Sequence, residues 1–183
     1  MNTMSPSVLL DELTRQSLKL ADTMLQAALA SGLPFDISQA WTLMAYSHRD
    51  MQAWASSESC FEVALRWGRV VGSVDHTVDL LCAASEAAAS LAETRAQART
   101  GAGHQARERA RGHAFEASTL AGRVADARWE ATVLMRISDV LNRCGDNGDA
   151  VLLQTRALRL MSGSLVGVPD PAQLPSLGRL ADS

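Results

Sequence analysis

The sequence predicts an all-α protein of antiparallel helical hairpins, arranged as an irregular solenoid or a helical bundle, and three observations predict it. No proline stands between Pro34 and Pro169, as expected where consecutive helix interiors reject a residue that lacks an N–H and clashes with the preceding turn. Alanine and leucine dominate that interval while β-branched runs are sparse, so local propensity agrees. Apolar residues recur at helical spacing between capping and glycine signals. A single domain of about six or seven helices is expected over residues 1–162, followed by a tail with glycine and proline over 163–183.

Taken in order, Ser5 before Pro6 has the form of an N-cap followed by proline at the first helical position. Leu9, Leu13, Leu20, Met24 and Leu29 follow, and Gly32 with Pro34 ends this helix. Asp36 and Gln39 fit a capping box for the second, which carries Trp41, Met44 and Ala45. Polarity rises from His48 to Gln52, placing either a short turn or a weak kink there. The helix from Ala53 to Val71 then presents Trp54, Cys60, Phe61, Leu65 and Trp67, with Glu62 and Arg66 as an i,i+4 pair and Gly72 at its close.

Ser73 caps a helix through Val78, Leu81, Cys82 and Leu91, whose Ala- and Ser-rich tract from Ala83 to Ala92 lets neighbouring backbones approach closely. Gly101 and Gly103 break the chain before a helix over Gln105–Gly122. Asp126 or a neighbour starts the next, with Trp129, Leu134, Ile137 and Leu141, and Gly145 stops it. Asn147 caps a final helix over Gly148–Met161, and Leu165, Leu174, Leu177 and Leu180 of the tail are candidate docking side chains.

Composition narrows the functions. A net charge of −3 gives no bulk attraction to nucleic acid or an anionic membrane, so neither is an expected partner. The arginines at 95, 99, 107, 109 and 111 are read as helix solubility. The N-terminus lacks a cationic start with an apolar core, and no uncharged run reaches spanning length, so a cytoplasmic location is expected. Cys60, Cys82 and Cys144 read as small buried hydrophobes in a reducing compartment.

Reactive constellations are missing from the motif pattern. His48, His76, His104 and His113 belong to no short ligand motif, and capping with local charge pairing accounts for Asp75, His76 and Asp79. Glu58 and Glu62, one turn apart, read as salt-bridge partners of Arg66. Gly101 and Gly103 precede no phosphate-loop lysine. The chain is therefore expected to be no enzyme, with no catalytic, metal or cofactor residues and no cofactor.

Two fragments recur 54 residues apart: Phe61-Glu62 with Gly68-Arg69-Val70, and Phe115-Glu116 with Gly122-Arg123-Val124. A second pattern lies in Leu134, Ile137, Ser138 and Leu141, then Gly145, Ala150 and Ala157; a fainter version has Trp41, Met44 and Ala45, then Ser57, Phe61 and Ala64, without glycine at its turn. This pattern resembles the tetratricopeptide repeat over Ser38–Val71 and Ala131–Leu160, while Ser73–Val124 fits the period poorly. The resemblance implies peptide or protein binding on a surface formed by first helices. Its groove-facing positions fall on Gln39, Thr42, Tyr46 and Arg49, and on Thr132, Met135, Asp139 and Asn142.

The expected function is accordingly that of an interaction module, an adaptor or chaperone-like binder of a protein or peptide partner, for which a homodimer is also allowed. The alternatives are a helical regulator whose tryptophans at 41, 54, 67 or 129 line a small-molecule pocket, and a structural subunit of a larger assembly.

Overall fold

A computed structural model describes residues 6–97 and 102–165. They form seven helices: α1 (Pro6–Ser31), α2 (Pro34–Asp50), α3 (Trp54–Val71), α4 (Val74–Gln97), α5 (Ala102–Ala121), α6 (Ala127–Cys144) and α7 (Asn147–Leu165). The expected cap Ser5, the break at Gly101 and the tail leucines Leu174, Leu177 and Leu180 lie outside the described residues.

Local chemistry fixes most boundaries. Asp126 caps α6 by accepting from the N–H groups of Arg128 and Trp129 at 3.0 and 2.9 Å, which satisfies two donors that have no intrahelical partner. Gly72 and Gly145 close α3 and α6 with φ of 77° and 88°, where a side chain would be strained. The α2–α3 turn, which has no glycine, reaches the left-handed region with Gln52 at φ 56°, its N–H donating to the Arg49 carbonyl at 2.8 Å.

Three boundary readings are corrected. Asp36 does not begin a capping box: α2 starts at Pro34 after an extended Leu33 that makes no side-chain cap, because proline is pre-set for the first helical position. Asn147 is the first residue of α7 itself, and that helix continues to Leu165, past the expected end at Met161. Helix α5 begins at Ala102 and so takes in Gly103, whose missing Cβ admits the Ala92 carbonyl; a Cβ there would lie 3.2 Å from it.

Side-chain contacts define the topology. Ser38 donates to the Ala64 carbonyl and Ser57 to the Ala45 carbonyl, both at 2.9 Å, so α2 and α3 run antiparallel. Ala92 clusters with Ala106, and Ala88 and Ala89 with Ala110, giving the same sense to α4 and α5. In α6 and α7, Glu130 meets Arg156 while Ala131 and Leu134 pack on Ala157. Ser17 and Ser47 pair at 3.2 Å across α1 and α2. The chain is thus α1 followed by three hairpins, with α3 packed on α4, α5 on α6, and α4 also on α6.

The core holds Phe61, Leu65, Leu81, Leu134, Ile137 and Leu141, each under 2% exposed. Burying such side chains stabilises the fold by about 1.5–3 kcal/mol apiece. Cys60, Cys82 and Cys144 are buried and unbonded; burial pushes all three thiols up, that of Cys82 to about 12. The 54-residue match does not mark equivalent positions. Phe61 is 1% exposed and Phe115 39%.

Candidate functional site: a groove across three helices

Helices α2, α4 and α6 turn one flank each toward a shared open groove of about 550 Å³. Arg49 of α2 and Trp54 of α3 wall one side, Glu86 and Ser90 of α4 form the floor, and Met135, Arg136, Asp139 and Arg143 of α6 wall the other. Trp54 also packs on Leu91, Ala92 and Ala106, which holds its ring in place at the edge of the groove.

The floor is braced by ion pairs in fixed register. Arg136 donates from Nε and Nη2 to Glu86 Oε1 at 3.2 and 2.8 Å, with Asp79 at 3.8 Å. Seven residues on, Arg143 donates to both Glu93 oxygens at 2.8 and 2.9 Å and to Ser90 Oγ at 2.7 Å. Both pairs join residues 50 apart, so α4 and α6 run parallel with two turns between rungs. Burial works against the Arg136 charge, but its ion pair and hydrogen bond with Glu86 outweigh it, and its pKa is raised. The Arg143 hydrogen bond holds the Glu93 carboxyl below its usual range.

A matching set braces the opposite face. Arg109 grips Glu58 through two bonds of 2.7 and 2.9 Å, His113 Nε2 lies 2.8 Å from Glu62 Oε1, and Arg69 reaches both Glu116 oxygens at 2.9 and 3.0 Å. Glu58 and Glu62 therefore bridge α3 to α5, and the expected pairing with Arg66 is corrected: lateral packing offers partners from the next hairpin. Arg111 forms an ion pair with Asp146 at 3.0 Å, so the basic stretch of α5 is used between helices as well as in solvent. Arg99 lies outside the described residues.

Of the positions implied by the repeat resemblance, Arg49, Met135 and Asp139 line the groove. Tyr46 lies beneath it: the Arg49 guanidinium sits 4.5 Å above its ring, and Phe61 meets it edge-on at 5.3 Å. Burial raises the Tyr46 pKa, so the phenol stays protonated. Gln39 instead lines a hollow between α1 and α2. Thr42 and Thr132 turn their hydroxyls onto the carbonyls of Ser38 and Arg128, and exposed Asn142 does not line the groove.

Sequence reasoning missed Glu86, Ser90, Arg136 and Arg143, and named Trp54 only as one of four tryptophans that could line a pocket. The available signal was the seven-residue spacing shared by Glu86 and Glu93 and by Arg136 and Arg143, which puts each pair on one helix flank. Trp41, Trp67 and Trp129 pack against the core, leaving Trp54 as the groove tryptophan. His76 Nε2 meets Ser38 Oγ at 2.9 Å and its ring lies 5.3 Å from that of Phe35; it joins α4 to α2. Among the described residues, no three His, Cys, Asp or Glu side chains gather as a metal site. No helix among them is long and apolar enough to cross a membrane.

The architecture defines an all-α stack of helical hairpins with a groove along one side. No protein-family profile matches the sequence, and no curated protein matches it. Among solved structures, the chain is similar to BtubC (BKLC) from P. vanneervenii, with a TM-score of 0.69 at 13% identity, covering 100% of this chain and 74% of that one. That likeness concerns the fold.

Proposed function

We propose that the protein is a non-enzymatic interaction module, an adaptor or chaperone-like binder, that receives a segment of a protein partner in the groove over α2, α4 and α6. The groove itself carries this reading: α2, α4 and α6, with the first residue of α3, bring two apolar contacts, Trp54 and Met135, into one open channel beside charged groups already oriented by their neighbours. A pre-set floor reduces the ordering that binding would require. The resemblance to tetratricopeptide repeats supports the same surface.

The state of the groove's titratable groups favours binding over catalysis. Glu86 and Glu93 are engaged by arginines, and the nearby Cys82 thiol, pushed up to about 12, is held in its unreactive protonated form. Affinity capture from native extract with the wild type and a Met135→Glu variant tests the reading. Wild type retains a specific protein that the variant loses while both show the same helical circular dichroism; retention by both variants alike would count against the groove. A structural-subunit reading has its own support in exposed Val151, Leu152, Leu158 and Met161 on α7.

A further inference from the structure

A second groove runs between α1 and α2, distinct from the one just described. Two hollows of about 290 and 140 Å³ follow one another along α1 and α2, with Met24 lining both, and together they mark out one channel between the helices. Its floor is small and apolar, with Ala21, Ala27, Ala28 and Ala40. Large apolar side chains border it in exposed positions: Leu20 at 62%, Met24 at 44% and Leu43 at 38%.

Charge marks both ends. Asp36 lines one hollow and Asp50 the other, and among the described residues neither hollow is lined by a basic side chain. The two carboxylates stand on α2 at a separation of about 21 Å from the rise per residue. Among the described residues Asp50 pairs with the adjacent Arg49 at 3.6 Å, and it is 61% exposed. Arg15 and Lys19 of α1 fall on the other flank of that helix by helical spacing.

The polar groups of the channel select the conformation of an occupant. Ser31 donates to the Ala28 carbonyl at 2.7 Å and Ser17 pairs with Ser47, while the backbones of both walls are engaged in their own helices. An extended peptide would bury N–H and C=O groups against walls with few partners to offer, whereas a helix satisfies its own. The alanine floor permits close approach of a helix backbone.

We infer that this channel docks an amphipathic helix of a partner protein, its apolar i, i+3, i+4, i+7 stripe laid on Leu20, Met24 and Leu43 and basic residues at its two ends facing Asp36 and Asp50. The inference is independent of the α2, α4, α6 groove: Met135→Glu leaves this channel intact, and Met24→Glu leaves that groove intact.

The probe is a synthetic helical peptide of about 14 residues, the number that spans the channel, with leucines at the stripe positions and arginines at both ends; its analogue carries glutamates at the ends. Fluorescence anisotropy with the full chain is expected to show the arginine peptide binding about tenfold or more tighter than the analogue, a preference that narrows with salt. Met24→Glu removes binding, and the D36K/D50K double variant reverses the preference while circular dichroism stays unchanged. Equal affinity for the two peptides, or no binding of either, overturns the inference. A concentration-dependent dimer that Met24→Glu dissociates, with no peptide bound, overturns it too by assigning the channel to a second copy.

Discussion

Two hairpins of this protein solve the same packing problem in opposite ways. The α4·α5 seam is built from small side chains: Ala84, Ala88, Ala106, Ala110, Ala114, Ala117 and Ala121 are all fully buried. In the α6·α7 hairpin, Leu134, Ile137 and Leu141 of α6 fill the space beside Ala150 and Ala157 of α7. Close backbone approach supplies contact in the first and large side-chain volume in the second, since interiors are close-packed whichever atoms fill them. Hydrophobicity alone would not separate these two regions; the size of the buried residues does.

The difference can be broken by changing volume in either direction. Leu141→Ala empties space in the large-residue hairpin and is expected to cost about 2–5 kcal/mol, read from the midpoint of chemical denaturation. Ala110→Leu does the reverse, forcing volume into the contact of Ala88, Ala89, Val140 and Cys144, at a cost of about 1–3 kcal/mol. If Ala110→Leu left the midpoint unchanged, the seam would not be close-packed and the contrast would fail.

The smallest effect lies at the start of α4, where His76 joins that helix to α2 instead of to α5. Burial holds the His76 pKa below its ordinary value, with Asp79 opposing more weakly, so the folded state favours neutral imidazole. Its contribution to stability is complete above the unfolded value of about 6.5 and is lost as pH falls through the lower folded value. Denaturation midpoints measured on descending from neutral pH should therefore decline, less so in His76→Gln. Equal slopes would show that His76 is not the group responsible.

Much of the helical outline was legible. Asp126, Gly72 and Gly145 act on backbone groups within a turn of themselves, and such chemistry is local enough to read from neighbours in sequence. Asp36 was misread because Pro34 sets the start of α2 on its own, and Gln52 filled a left-handed position for which only glycine was sought. The candidate site was half visible. Arg49, Met135 and Asp139 could be placed from two repeat-like segments, but Glu86 and Ser90 come from the helix that fits the repeat period poorly.

Sequence by itself determined that this chain is helical, roughly where each helix begins and ends, and which flank of each is apolar, because propensity, capping and periodicity act over one to two turns. Tertiary structure alone decided that Glu58 meets Arg109, that Glu86 meets Arg136, and that Trp54 shares a groove with Met135. The two ion pairs span about 50 residues and the groove pair more, and their register is set by how side chains of successive hairpins interdigitate, a property of the packed volume that no short stretch of chain contains.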